Sequence, residues 1–128
     1  MNRKENCKSL KTAGFFRELI HGDEGGASLI DLRQAVALMG EGRIVEYLRK
    51  GVPLIVSPGV VYDVLDGEGP IGTGAILTDG EWAWPDDLAY YLEKYHVALP
   101  EDFVNWVVER GYEVENLSQE QLRLLKVP

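Results

Sequence analysis

The dipeptide Asp79-Gly80 constrains the fold of this chain more than any other feature of its sequence. It separates two short segments, 75–78 and 81–84, whose composition is typical of β-strands. Asp-Gly favours a two-residue hairpin turn because glycine readily adopts the positive φ that such a turn requires. Alternate residues of a strand share a face, so we expect the indoles of Trp82 and Trp84 on one side of a sheet.

Two further segments upstream of this hairpin also have the composition of β-strands. Residues 52–56 and 60–65 are rich in β-branched side chains and flank the turn signal Ser57-Pro58-Gly59. Together with the hairpin they predict a central four-stranded antiparallel meander. A two-residue turn would set the register of the hairpin, with Leu77 opposite Trp82.

Helical periodicity precedes the meander. Apolar stripes predict N-terminal helices over 9–20, 28–40 and 43–50. A capping box from Ser28 to Asp31 marks the start of the second of them, because the serine hydroxyl can accept a hydrogen bond from an otherwise unpaired backbone N–H. We therefore expect the first part of the chain to be helical.

Helix-start signals also follow the meander. Pro85 and Pro100 each precede acidic residues that suit a first helical turn, and Ser118 forms a second capping box with Gln121. Helices, then an antiparallel meander, then C-terminal helices indicate the α+β class rather than a doubly wound nucleotide fold. No linker or internal repeat divides the sequence, so we expect a single α+β domain over residues 1–128.

The glycine-rich segment 67–72 matches the dinucleotide fingerprint G-x-G-x-x-G. In that motif the turn opens a helix whose N-terminal amides hold a pyrophosphate, whereas the residues after Gly72 have the composition of a strand. Glu68 would also repel a phosphate group. We therefore interpret the segment as a hairpin connection and expect no cofactor.

Residue types that bind metals or act as nucleophiles are scarce. The single cysteine, Cys7, excludes a disulfide within the chain and a cysteine-based zinc site. His21 lies in a polar turn, which we interpret as solvated, and His96 ends a Tyr-rich helix whose C-terminus would favour an imidazolium. We expect no metal site and no catalytic residue.

The chain is acidic, with 13 Lys and Arg residues against 21 Asp and Glu residues and a net charge of −8. This charge repels phosphate backbones and anionic lipids, so we expect neither nucleic acid nor a membrane as a partner. There is no run of about 18 apolar residues to span a bilayer, and no signal-peptide core, so the expected location is cytoplasmic. The charge either serves solubility alone or forms a face for a basic protein.

Aromatic residues are concentrated between positions 82 and 106, where they are interleaved with carboxylates. Trp and Tyr bury large areas in protein cores, and they also anchor protein interfaces, so the sequence leaves both roles open. The candidate binding face consists of Asp79, Glu81, Trp82, Trp84, Asp86, Asp87, Tyr90, Tyr91 and His96.

The segment 78–91, with Tyr95-His96 and Leu99-Pro100, resembles small uncharacterised bacterial domains that carry a W-x-W-P…DLAYY…KYH…LP pattern. This pattern implies no particular activity. The segment 99–106 is similar to the LP-x-x-[FY] helix start of SUKH-type immunity proteins, in which the motif lies early in the chain rather than late. That resemblance implies a protein that neutralises a toxin.

The acidic charge, the aromatic residues and the missing catalytic motifs favour a non-catalytic protein-binding module. On this hypothesis the chain is a bacterial immunity protein that neutralises a basic toxin by direct binding, and its partner is a protein with a basic surface. The alternative is a small-ligand sensor or a small enzyme with a pocket between the sheet and the Tyr-rich helix.

Overall fold

A computed structural model describes residues 7–19 and 22–128 of the chain. Both helices and strands are present in this part, which confirms the α+β class. The strands are β1 Lys8–Ser9, β2 Lys11–Thr12, β3 Val52–Ile55, β4 Ile76–Thr78, β5 Trp82–Pro85 and β6 Leu125–Lys126. The helices are α1 Leu29–Leu32, α2 Glu41–Arg49, α3 Leu88–Tyr95, α4 Glu101–Glu109 and α5 Gln119–Arg123. Among the described residues, no helix has the length and apolar character needed to cross a bilayer.

The main sheet has four strands in the order β2-β5-β4-β3, and it is mixed rather than purely antiparallel. Strands β3, β4 and β5 are antiparallel neighbours, whereas β2 pairs with β5 in parallel. The predicted strand over residues 60–65 is wrong, since these residues form only an isolated bridge between Val61 and Gly72. The fourth strand of the sheet is β2 instead. A second, two-stranded parallel sheet pairs β1 with β6 and brings Lys8 opposite Leu125.

The β4–β5 hairpin has a longer loop than the sequence predicted. Thr78 pairs with Ala83 and Leu77 with Trp84, so the predicted pairing of Leu77 with Trp82 is shifted by two residues. The cause is the side chain of Asp79, whose Oδ1 accepts hydrogen bonds from the backbone N–H groups of residues 81 and 82 at 2.9 and 2.8 Å. A shift of two residues leaves each side chain on its original face. Both indoles accordingly pack against Phe103, with ring centroids 4.8 and 5.6 Å away.

The predicted N-terminal helix over 9–20 is wrong. Residues 11–13 instead run along the free edge of β5, where Lys11 N–H donates to the Glu81 carbonyl at 3.0 Å and Ala13 N–H to the Ala83 carbonyl at 3.1 Å, and residues 17–18 form a turn. Leu10, Ala13 and Phe16 of the predicted stripe are nevertheless buried. Pairing with a sheet edge has overridden a local helical pattern. The end of this predicted helix, at Ile20, lies outside the described residues.

The predicted helix over 28–40 is also wrong beyond its first turn, because α1 ends at Leu32. Ser28 does not cap it. Its hydroxyl instead donates to the carboxylate of Glu18, which also accepts the Leu29 N–H at 2.7 Å. The chain then leaves the helix, and Gln34 N–H donates to the Tyr95 carbonyl at 3.1 Å. Local capping chemistry has yielded to a longer-range contact.

The later helices follow the sequence more closely. Helices α2 and α4 occupy the expected segments, and the capping box between Ser118 and Gln121 is present at the start of α5. Pro85 differs, since it ends β5 opposite Ile76 rather than opening α3. In these segments the local start signals and the apolar faces both favour the helix that is observed, so sequence and packing agree.

The core is centred on Trp84, which is completely buried. Its indole N–H donates to the Leu48 carbonyl at 3.1 Å, and its ring lies 6.0 Å from that of Tyr47. Gly51 allows this approach, because a Cβ at that position would lie 2.7 Å from the Trp84 ring and 2.8 Å from Leu77. The absence of a side chain at Gly51 therefore fixes the distance between the α2–β3 connection and the sheet.

We expect Gly51→Ala to lower the free energy of unfolding by about 1–3 kcal/mol, because the added methyl group displaces the Trp84 ring or the strand beneath it. Gly42→Ala is the matched control. A Cβ at Gly42, inside α2, meets nothing within 4 Å, so alanine there should be neutral or stabilising by up to about 1 kcal/mol. Urea unfolding of both variants measures the difference, and equal stabilities would contradict this packing.

Candidate functional site

The residues of the predicted binding face do not form one exposed surface in the structure, because several of them are buried. Trp82, Trp84 and Tyr91 lie in the hydrophobic core, so the interpretation of these aromatic residues as interface anchors is corrected to a packing role. Asp79 and Asp87 are also buried, at 6% and 5% exposure. The residues of that set that keep partial exposure are Glu81, Asp86, Tyr90 and His96.

Asp79 has a structural role in the hairpin. While its Oδ1 accepts the two backbone N–H groups of the turn, its Oδ2 accepts the indole N–H of Trp106 at 2.9 Å and the hydroxyl of Tyr47. The carboxylate thus joins the β4–β5 turn to α2 and α4. With both oxygens occupied by donors from its own chain, Asp79 offers nothing to a ligand.

Asp63 has the same role in the long loop between β3 and β4, and the sequence did not identify it. Its Oδ2 accepts the hydroxyls of Tyr90 and Tyr95, both at 2.7 Å. Its Oδ1 accepts the N–H groups of Leu65 at 2.7 Å and Asp66 at 3.2 Å. Burial alone would raise the pKa of Asp63, but these hydrogen bonds outweigh it and hold the pKa at about 2.

The loop that Asp63 anchors presents apolar side chains to solvent. Val60, Tyr62 and Val64 are 57%, 50% and 42% exposed, whereas the intervening Val61 and Asp63 point inward and are buried. We call Val60, Tyr62 and Val64 the outer strip. The pattern reverses the usual arrangement of a strand on a core, since here a charged residue faces inward and the apolar residues face outward.

The loop carrying the outer strip is held at both limbs. Val61 N–H donates to the Gly72 carbonyl at 2.9 Å, and Ile71 N–H donates to the Val61 carbonyl at 2.8 Å. Val64 N–H donates to the hydroxyl of Tyr91 at 3.0 Å. The glycine-rich segment 67–72 thus forms the returning limb of this loop, in line with the connecting role expected from the sequence.

A small cleft lies beneath the outer strip, with Asp87 in its wall. Its volume is about 30 Å³, and Tyr62 and Val64 form part of its lining together with Phe15, Leu19, Val61, Gly74 and Pro85. Asp87 is the N-cap residue of α3 but makes no side-chain cap hydrogen bond. Its Oδ1 is the one buried side-chain oxygen or nitrogen in the described part of the chain that has no hydrogen-bond partner.

The environment of Asp87 disfavours its ionised form. Burial raises the pKa of Asp87 to about 7, and the neighbouring carboxylate of Asp86 contributes to the same shift. Asp86 itself is satisfied, because it accepts the backbone N–H and the hydroxyl of Thr73, at 3.0 and 2.7 Å, and the N–H of Gly74. The two adjacent carboxyl groups that precede α3, Asp86 and the N-cap residue Asp87, therefore differ sharply in their hydrogen bonding.

A wider groove of about 400 Å³ lies between the β4–β5 turn, α4 and α5. This groove is not the pocket that the sequence predicts between the sheet and the Tyr-rich helix α3. At that position Leu88, Tyr91 and Leu92 are completely buried. Four of the charged groups along this groove, Lys8, Asp79, Glu81 and Arg110, already interact with their neighbours. Lys8 and Glu81 form an ion pair at 2.6 Å, and the guanidinium of Arg110 lies 3.9 Å from the Trp106 ring centre.

The histidines do not form a site in the described residues. His96 is the C-cap residue of α3, with a left-handed φ of 53° and its backbone N–H bonded to the Leu92 carbonyl. Its ring Nδ1 lies 2.9 Å from a carboxylate oxygen of Glu41. His96 therefore caps the end of α3 through its backbone and contacts α2 through its ring. His21 lies outside the described residues. Within residues 7–19 and 22–128 no group of three His, Cys, Asp or Glu side chains is placed to hold a metal ion.

We expect Asp63→Asn to lower the free energy of unfolding at pH 7 by about 2 kcal/mol, since an amide N–H₂ would face donors instead of acceptors. The pKa of Asp63 is lower in the folded chain than its ordinary value of 3.8, so the carboxylate stabilises the fold above about pH 4. That contribution is lost as the pH falls towards 2. Acid unfolding should therefore be shallower in the variant, and the same profile in Asp63→Asn and in the exposed control Asp31→Asn would contradict the role of Asp63.

Asp87→Asn should have the opposite effect. Because the pKa of Asp87 is raised in the folded chain, ionisation of Asp87 destabilises the fold increasingly between about pH 4 and pH 7. Asp86 is the charged neighbour that adds to the raised pKa of Asp87, and Asp87 in turn helps to raise the pKa of Tyr91 in α3. We expect the variant to be more stable than the parent by about 1–3 kcal/mol at pH 8 and by less at pH 5. A variant that is less stable at pH 8 would show that the carboxylate is satisfied.

Comparison of this chain with protein-family models, with curated proteins and with solved structures gave no significant match. The resemblances noted in the sequence therefore stay predictions, and the local geometry is the basis on which a function is proposed.

Proposed function

We propose that this chain is a non-catalytic protein-binding module that acts as a bacterial immunity protein, neutralising a basic toxin by direct binding in the cytoplasm. The docking surface in this proposal is the outer strip together with the cleft beneath it. The observation that carries the proposal is the outward exposure of Val60, Tyr62 and Val64 from a loop whose charged residue is buried. Exposed apolar side chains next to one another on a fixed loop are typical of interaction surfaces.

The rigidity of the loop supports docking. Binding normally requires loops and side chains to lose conformational freedom, which weakens association. Here Asp63 and the hydroxyl of Tyr91 already fix the backbone of the outer strip. A partner would therefore meet a surface that needs little further ordering, with Tyr62 as its aromatic anchor.

The charge around the outer strip supports a basic partner. Glu68 lies in the loop that carries the strip, beside Asp66, which pairs with Lys94, and Asp86 lies beside the cleft in a chain whose net charge is −8. Opposite potentials accelerate the encounter of two proteins and exclude partners of the same sign. A basic toxin domain has the complementary charge.

The alternative function, a small-ligand sensor or small enzyme, would use the groove of about 400 Å³ beside Trp106 and Arg110. Its volume is within the usual range for ligand pockets. However, its buried carboxylate, Asp79, already has donors for both oxygens, and Lys8 pairs with Glu81. The outer strip exposes apolar side chains, whereas Asp79, Lys8 and Glu81 of the groove are already paired within the chain, so protein binding is the better supported function.

Site-specific photo-crosslinking in the native cell tests the proposal. A photoreactive residue at Val60, in the outer strip, should form a covalent adduct with one basic protein. A photoreactive residue at Val108 is the matched control, since Val108 has a similar exposure of 48% but lies on α4. The Val60 adduct should disappear when unlabelled parent protein competes, and it should persist when the double variant Tyr62→Ser/Val64→Ser competes.

Expression of the captured protein tests its neutralisation. Produced alone it should arrest growth, and coexpression of this chain, but not of the double variant, should relieve the arrest. Identical adducts from positions 60 and 108 would contradict docking on the outer strip. A captured protein that binds specifically but has no effect on growth would contradict the immunity function while leaving the binding function in place.

A further inference from the structure

We infer that the cleft beneath the outer strip is a socket for a lysine side chain of the partner protein, whose ammonium group pairs with the carboxylate of Asp87. This inference deepens the docking function proposed above and rests on it. It assigns a chemical role to Asp87, the one buried carboxyl group of residues 7–19 and 22–128 that has an oxygen without a hydrogen-bond partner.

The other two buried aspartates of the described residues, Asp63 and Asp79, show the hydrogen bonding of a carboxylate with a structural role in this chain. Asp63 and Asp79 each accept two backbone N–H groups on one oxygen and two side-chain donors on the other. Asp87 is equally buried, yet its side chain accepts no hydrogen bond from another described residue, and it does not cap the helix at whose start it lies. Buried polar groups without partners are rare because they destabilise the fold, and a cationic group that enters the cleft can supply the missing donor.

The lining of the cleft favours a primary alkylammonium ion. The walls formed by Phe15, Leu19 and Val64 are apolar and suit the methylene stem of a lysine, while the carboxyl group of Asp87 suits its charged end. A cavity of about 30 Å³ has room for one compact head group, whereas a planar guanidinium needs a broader site. The neighbouring carboxylate of Asp86 disfavours any anion.

The ionisation of Asp87 links binding to pH. An ammonium group binds the carboxylate rather than the neutral acid, and burial keeps the pKa of the unoccupied group near 7, with Asp86 adding to the shift. Binding should therefore strengthen as the pH rises from 5.5 to 8. At higher pH a larger fraction of Asp87 is already ionised, so less of the binding free energy is spent on deprotonating it. Tyr91 of α3 has a pKa raised by burial and, to a smaller extent, by Asp87, so it stays neutral over this range.

Titration of the free chain with n-butylammonium, followed by NMR, tests the socket without a partner. At pH 8 we expect saturable binding, with amide shift changes concentrated at Leu19, Val64 and Gly74. Asp87→Asn should weaken this binding at least tenfold, the scale expected for loss of a desolvated charge pair. Glu93→Gln, which removes an exposed carboxylate paired with Arg49 on the surface, is the control and should have no effect. The neutral probe n-butanol should not bind saturably.

Three results would overturn the socket: equal affinity of the parent and of Asp87→Asn, equal binding of butylammonium and butanol, or shift changes spread over the acidic surface.

With the partner captured at Val60, Asp87→Asn should raise the Kd at least tenfold, and so should replacement of one partner lysine with glutamine. If the Val60 adduct forms but Asp87→Asn leaves the Kd unchanged, the socket fails while the docking function stands. If butylammonium binds but no protein is captured at Val60, the site takes a free amine, and both the partner lysine and the docking function fail.

Discussion

The hydrogen bonds between buried aspartates and aromatic side chains hold this structure together. Asp63 is the central case, because it joins a long loop to α3 through the hydroxyls of Tyr90 and Tyr95. Removing a carboxylate from water is unfavourable unless several donors replace the lost hydration. Here the replacement is complete, and the loop on which Asp63 lies is consequently fixed against the helix. The Tyr-rich character of α3, which first suggested a binding face, is explained largely by this requirement.

Hairpin chemistry and face alternation made part of the fold predictable. The side of the sheet that Trp82 and Trp84 occupy was correct even though the register was wrong, because a shift of two residues preserves the face. The register itself depended on which backbone groups the Asp79 carboxylate would accept, and a dipeptide signal does not contain that information. The first segment, with Phe16, has apolar spacing that fits a helix. Its actual conformation depends on a free edge of β5 that lies some seventy residues further along the chain.

The candidate site was less predictable than the fold. Net charge and aromatic content indicated protein binding, but they did not say which carboxylates would be buried. The sequence carries one signal for Asp63, a charged residue within a run of β-branched ones, but such a run predicts a strand rather than a loop with an inward-facing carboxylate. Asp86 and Asp87 are adjacent and chemically identical in the sequence, yet Asp86 accepts donors from residues 73 and 74, whereas Oδ1 of Asp87 has no hydrogen-bond partner. The difference arises entirely from how the loop folds over α3.

Structure and function are connected through this loop. Its inner side uses Asp63 to stabilise the fold, and its outer side is thereby free to carry apolar residues that the core does not need. The cleft between the loop and α3 then places Asp87 next to the surface that a partner would cover. A single structural device thus produces both the exposed strip and the unsatisfied carboxyl beneath it.

Hydrogen exchange of the chain with and without its captured partner tests the central claim most directly. If the outer strip is the docking surface, the partner should slow amide exchange in residues 56–72 and at the start of α3, and should leave α4 and α5 unchanged. Slower exchange confined to the groove around Trp106 and Arg110, with residues 56–72 unaffected, would contradict it.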